Sequence, residues 1–297
     1  MVPVIIEAAI NGVASKLRNP HVPVEPDEIA RDAIACMDAG AAIVHNHTDN
    51  PLDAGAAIAA RQLEGWRAVF DARPDAILYP TAGFSGDPVA RFAHIPILAD
   101  ACPMRMSIFD PGTVNLGDLG PDGLPGGSFD FVYKNDFADI RHQADLCVRH
   151  SLGPSISIFE PGFLRCALAY HRAGRLPAGA FIKFYFGGTA DYLGAGGSGV
   201  GFGLPPSPLA LEVYLEMMGD CDLPWAVAVI GGDVVDSGLA RMAIERGGHV
   251  RVGLEDYAGS GSPTNAGLVE VVVAIARSVG RPVATCSDAS HILHLPR

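Results

Sequence analysis

Pro26-Asp27-Glu28-Ile29-Ala30-Arg31-Asp32-Ala33-Ile34-Ala35-Cys36-Met37-Asp38-Ala39 is an amphipathic, helix-like stretch. Gly40-Ala41-Ala42-Ile43-Val44-His45-Asn46-His47 follows it directly as an apolar, strand-like run that closes on two imidazoles. Outward from this pair the same alternation recurs. Strands are expected over residues 4–9, 42–47, 76–81, 104–108, 155–159, 181–186, 225–230 and 249–254, with amphipathic stretches between them that include 136–150, 206–218, 237–246 and 263–279. Most of the strands are continuous apolar runs, as in a parallel sheet covered on both faces. Strand then helix, eight times over, predicts an α/β chain closed as a (β/α)8 TIM barrel, one domain over residues 1–297. Long or glycine-rich segments at 111–129, 187–205 and 258–262 each follow a strand. That places them on the face where barrels keep their chemistry, as walls or lids of an active site.

A chain of 297 residues that is 49% hydrophobic and 18% charged has enough apolar material for one large core. Its net charge of -12 repels a polyanion, so nucleic acid is not an expected partner. Cys36, Cys102, Cys147, Cys166, Cys221 and Cys286 lie far apart with no C-x-x-C pair, which points to neither a thiolate metal site nor a disulfide framework and fits a cytoplasmic setting. No stretch reaches the roughly 18 uninterrupted apolar residues of a membrane span. A soluble protein is expected.

Residues two apart in a strand point to the same side, so His45 and His47 converge. Two neutral imidazoles are half of a catalytic zinc site, which takes three protein ligands and leaves a position open. Taken alone, the pair also fits two ordinary core or surface histidines. Arg251-Val252-Gly253-Leu254-Glu255-Asp256 carries an apolar strand into two adjacent acids at its C-terminal end. Strand eight neighbours strand one, and strand two lies one step further, so a carboxylate there can reach the two histidines across the barrel mouth. Alone, the acids also fit a helix cap or a surface pair. Together the two clusters predict a His45, His47, Glu255 set around a divalent ion, zinc by its ligand types.

Further residues extend the pattern. Asn19-Pro20-His21-Val22-Pro23-Val24 with Asp27-Glu28-Ile29-Ala30 gives an N-P-x-x-P-x-x-x-x-E-I-A opening. Gly247-Gly248-His249-Val250-Arg251-Val252-Gly253-Leu254-Glu255-Asp256 is followed by Thr264-Asn265-Ala266. On these motifs the chain resembles, nearly end to end, the β-keto acid cleavage enzymes. The resemblance implies retro-Claisen cleavage of a β-keto acid with acetyl-CoA, leaving acetoacetate and a new CoA ester, in a homodimer or homotetramer. It implies His45, His47 and Glu255 as zinc ligands, Asp256 as acid/base and Arg251 as its charge partner. The family's S-T-G-G reads Pro80-Thr81-Ala82-Gly83, and its G-T-x-N turn reads Gly112-Thr113-Val114-Asn115. Thr81, Gly83, Thr113 and Asn115 are thereby implied as substrate contacts.

The chain also departs from that pattern. A glutamate that holds a substrate amine in the type enzyme is absent from Gly12-Val13-Ala14, so a ligand amine is not expected at Ala14. A glutamate of strand five reads Ser157, with Glu160 just beyond; H-x-H-x-R-D reads His45-Asn46-His47-Thr48-Asp49-Asn50, and G-x-G-R reads Gly231-Gly232-Asp233. Two lost positive charges weaken the hold on an anionic substrate. Glu7 reads either as a barrel-facing acid or as a buried, paired carboxylate. Lys183 resembles a Schiff-base lysine, although one lysine on a strand is more commonly paired or snorkelling. The glycines of 187–203 lack a phosphate-cradle spacing and suggest a mobile loop. Two other functions follow from the departures: a CoA-independent metal-assisted lyase or hydrolase on the same barrel, and a non-catalytic metal-dependent ligand binder.

Overall fold

In the computed structural model, residues 1–50, 55–85, 87–190 and 202–296 are described. Eight parallel strands carry the fold: β1 (Ile6–Ala9), β2 (Ile43–Asn46), β3 (Leu78–Pro80) and β4 (Met106–Phe109), then, after the hairpin β5 (Val114–Leu119) and β6 (Pro125–Tyr133), β7 (Gly153–Ile158), β8 (Phe181–Gly187), β9 (Trp225–Ile230) and β10 (His249–Val252). Their hydrogen-bonded order is β3-β2-β1-β10-β9-β8-β7-β4, and the two end strands touch, so the sheet curls into a nearly closed barrel. The helices between them are α1 (Pro26–Ala39), α2 (Ala56–Ala72), α3 (Pro88–Arg91), α4 (His94–Ala101), α5 (Phe137–Arg149), α6 (Pro161–Arg172), α7 (Pro208–Met218), α8 (Leu239–Glu245) and α9 (Asn265–Val279), with α10 (Cys286–Ile292) last. This is the expected (β/α)8 TIM barrel. No helix among the described residues is long and apolar enough to cross a membrane.

The motif residues outside the site have structural work. Glu28 caps α1, its carboxylate accepting from the backbone of Val24 and Glu25 at 2.9 and 3.1 Å. Asn265 ties three elements together. Its side chain accepts from Leu254 N at 2.8 Å and donates to Ile10 O at 2.7 Å and to Asp32 at 2.6 Å, so the ends of β1 and β10 are held side by side.

Segment 111–129 departs from the expected loop, because it builds the antiparallel hairpin β5–β6. The reason is local. Val114 and Leu116 alternate with Asn115 and are buried, and Pro121-Asp122-Gly123 turns the chain, with Gly123 at φ +77° and Gly120 N bonded to Leu124 O at 2.8 Å. Of the expected loop over 187–205, residues 191–201 lie outside the described residues.

A (β/α)8 interior is ordinarily filled by branched apolar side chains. Here Glu7 on β1, Lys183 on β8 and Arg251 on β10 are all buried, and Glu7 sits opposite Arg251 in the strand register. Strands β1 and β8 are not neighbours, so the Lys183–Glu7 contact at 3.1 Å crosses the barrel interior.

Candidate active site

The pleat of β2 sends His45 and His47 to one side and Asn46 to the other. Asn46 is anchored outward by Trp66, whose Nε1 donates to it at 2.8 Å, and by Gln62 at 2.7 Å. Asn11 locks the far end of the strand, accepting from His47 N at 2.8 Å and donating to His47 O at 3.1 Å. The His45 ring stacks on Tyr79 at 4.5 Å, and its Nδ1 lies 3.2 Å from the Tyr79 carbonyl. A carbonyl can only accept, so Nδ1 carries the proton and the Nε2 lone pair faces the mouth. Burial pushes the His45 imidazole down to about 3, which keeps it neutral.

Glu255 reaches the two rings because the backbone just before it turns sharply. Gly253 adopts φ +149°, and a Cβ there would stand 2.0 Å from Ala9 O. Glu255 N then donates to Ala9 O at 3.1 Å. The carboxylate lies 3.6 Å from His45 Nε2 through Oε2 and 3.5 Å from His47 Nε2 through Oε1. One ligand atom from each of the three residues falls within 4.8 Å of the others, so His45, His47 and Glu255 could hold a metal ion. The fit is good on two counts. Glu255 Oε2 is buried with no hydrogen-bond partner among the described residues, and two imidazoles with one carboxylate suit a divalent cation.

Gly12 gives this carboxylate its room. It sits at φ +54°, and a Cβ on it would lie 2.3 Å from Glu255 Cγ. Gly12→Ala is expected to push Glu255 off the histidines and lower divalent-ion affinity on the order of 10–100-fold. Titration calorimetry with Zn2+ checks this; unchanged affinity in the variant refutes it.

Arg251 organises the carboxylates. It donates to Asp256 at 2.8 and 2.9 Å, to Glu255 at 2.8 Å and to Glu7 at 3.1 Å. Burial would raise the Glu255 carboxyl, but Arg251 and the two histidines outweigh it and hold it well below the usual range. Burial wins at Asp256, whose carboxyl is raised despite Arg251. Lys183 donates to Glu7 and to the Tyr79 hydroxyl, so the paired reading of both Glu7 and Lys183 is the one observed.

A cavity of about 340 Å³ opens over the histidines, with Thr81, Gly83, Arg251 and Glu255 in its lining. Asp256, Thr113 and Asn115 are not in that lining. Asp256 sits behind Arg251 with both oxygens taken. The Thr113 hydroxyl bonds the backbone of Asn135 at 3.0 Å, and Asn115 is exposed on β5. Asp233 accepts from Val235 N in its own loop, and Glu160 accepts from Gly203 N, so neither acid turns to the cavity. Ser157 does line it, and bonds to Asp110. Sequence reasoning missed Asp110, Tyr133, Tyr79 and Tyr185. The first two meet only because the hairpin returns Tyr133 over the end of β4, where its hydroxyl donates to Asp110.

Comparison with known proteins places this geometry. Residues 3–295 match the family described as beta-keto acid cleavage enzyme. The chain is 29% identical to the 3-keto-5-aminohexanoate cleavage enzyme of Acetoanaerobium sticklandii, over 99% of this chain and 98% of that one. It is 30% identical to the 3-oxoadipate:acetyl-CoA acetyltransferase of Cupriavidus necator, over 99% and 95%. Among solved structures, apo ObcA superposes with a TM-score of 0.66 at 17% identity, over 93% of this chain and 66% of that one, a likeness of fold. Because the family match takes in both β2 and the β10 end that supply the three convergent ligand atoms, the chain belongs to the beta-keto acid cleavage enzyme family.

Proposed function

We propose that this protein cleaves a β-keto acid by retro-Claisen acyl transfer with acetyl-CoA, with zinc held by His45, His47 and Glu255. In the overall reaction the C2–C3 bond of the keto acid breaks. The acetyl carbon joins C2 to make acetoacetate, and the CoA sulfur joins the C3 acyl group. The carrying observation is the buried Glu255 Oε2, without a hydrogen-bond partner among the described residues, set against the two imidazoles at the cavity in a chain of this family. The two relatives bear names for keto-acid cleavage and for acetyl transfer with acetyl-CoA. When bound, a divalent ion supplies Lewis acidity to a keto oxygen and stabilises developing negative charge.

The chain's own groups do the rest. His45 is kept neutral by burial and turned by the Tyr79 carbonyl. Arg251 presents a fixed positive charge at the cavity wall, where an anionic substrate or enolate is stabilised. Asp256, which the family resemblance implies as the acid/base, holds Arg251 through both of its oxygens and would act on the cavity through that guanidinium. Thr81 and Gly83 line the substrate's side of the cavity. The six free thiols support a cytoplasmic setting.

The test is CoA-ester formation, read by mass spectrometry, from a panel of β-keto acids with zinc-loaded protein and acetyl-CoA. Product from at least one acid is expected, and none from the whole panel overturns the proposal. Turnover that ignores added acetyl-CoA favours the lyase or hydrolase reading instead. Asp256→Asn that retains metal but loses turnover excludes a mere ligand binder.

A further inference from the structure

We infer that the substrate of this site is a β-keto acid whose side chain is uncharged and apolar; this rests on the function proposed above and names its substrate class. The cavity walls are contributed in large part by Val13, Phe84, Ile108, Leu116, Phe159 and Ile230. A second cavity of about 160 Å³ adjoins the first through shared Val13, His47 and Gly83, and adds Ala14, Pro23, Val24 and Ile58. Both spaces therefore offer apolar surface beside the His–His–Glu set.

The charged groups around these spaces are already matched. Arg251 is taken up by Glu7, Glu255 and Asp256, and Lys183 by Glu7. Arg91 faces Asp139 at 3.6 Å and bonds Asn135 at 3.0 Å. Its Nε has no partner among the described residues but is itself sealed from solvent, so an entering group does not meet it. Lys134, at the rim, pairs with Asp136 at 2.9 Å. In the second cavity Asp49 is paired with Arg61 at 2.8 Å.

Asp110 is the lining carboxylate without a cation in direct contact. The hydroxyls of Tyr133 and Ser157 bond it instead. Ser157, its partner, stands opposite Lys183 in the strand register, and that ammonium repels an incoming cation. For the one carboxylate common to every β-keto acid, a divalent ion held by His45, His47 and Glu255 would supply the counter-charge when bound. A second carboxylate would give up its water and find every lining cation already paired among the described residues, and an ammonium would reach Asp110 only beside the charge of Lys183. An alkyl or phenyl side chain loses nothing of that kind and gains the apolar wall.

The experiment compares 3-oxohexanoate and 3-oxo-3-phenylpropanoate with 3-oxoadipate and 3-keto-5-aminohexanoate on the zinc-loaded enzyme with acetyl-CoA. Equilibrium binding of the same four acids without acetyl-CoA, by titration calorimetry, is a second readout. At least a 100-fold higher kcat/KM for one of the uncharged acids is expected, with binding in the same order. Preference for either charged acid overturns the inference while leaving the proposed function standing. No ester from any of the four removes both. In addition, Glu7→Gln leaves Lys183 and Arg251 one anion short, and is expected to raise the use of 3-oxoadipate relative to 3-oxohexanoate at least tenfold. An unchanged ratio in folded Glu7→Gln protein overturns the charge-matching argument; the wild-type comparison decides if that variant does not fold.

Discussion

Arg251→Met is expected to destabilise the protein by about 3–5 kcal/mol, because it removes one partner from a buried ionic network and strands the others. Arg251 is 2% exposed and bonds three carboxylates, those of Glu7, Glu255 and Asp256. Without it, Lys183 is the one lysine or arginine among the described residues in direct contact with any of the three, and it touches Glu7. For a chain of this size the loss corresponds to a fall in Tm of roughly 10 °C. Differential scanning calorimetry checks it. Arg251→Lys is expected to fall between wild type and Met, since a lysine restores the charge but not the fork that spans Asp256 and Glu255 together. A surface control separates this from charge removal in general: Arg31, paired with Asp27 where both side chains are more than two-thirds exposed, can be replaced without a measurable change in Tm. If Arg251→Met melts within a degree or two of wild type, the network is not what holds the β1–β10 seam.

Glu255→Gln is the second large effect, and it falls on the metal. The substitution keeps the shape of the side chain but takes away the negative charge that faces His45 at 3.6 Å and His47 at 3.5 Å. Divalent-ion affinity is expected to fall on the order of 100-fold or more, beyond what an outer-sphere change produces. Turnover should fall with it, by roughly three orders of magnitude, as Lewis-acid assistance is lost. Zn2+ titration and elemental analysis of the purified variant give the first number, and CoA-ester formation the second. The fold should survive, because Arg251 keeps its two-pronged bond to Asp256 and Glu255 N keeps its bond to Ala9 O. A variant that still carries one ion per chain would place the metal elsewhere.

How much of this was legible beforehand depended on the range of the interaction. The eight barrel strands could be read because each is a short apolar run between polar helices, a local property of hydrophobic burial. His45 and His47 could be paired because the pleat repeats every two residues. The hairpin in 111–129 was hidden by its glycines, although Pro121-Asp122-Gly123 is a turn signal that would have revealed it. Asp110, which lines the cavity, carried no signal, since its partner Tyr133 reaches it only through that hairpin. Thr113 and Asn115 were read from a turn motif, but Asn115 falls inside β5 and Thr113 uses its hydroxyl to bond the backbone of Asn135.

By itself, then, the amino-acid order determined the barrel, the convergence of the two imidazoles and the acids that end β10, since each follows from periodicity within a few residues. The pairing of charges was decided only in three dimensions. Glu7 and Arg251 stand 244 positions apart and meet through the register of β1 against β10, while Lys183 crosses the interior to join them. Which carboxylate faces the cavity and which sits behind Arg251 depends on the turn at Gly253 and the space left by Gly12, because buried charges settle wherever the fold supplies both a counter-ion and room.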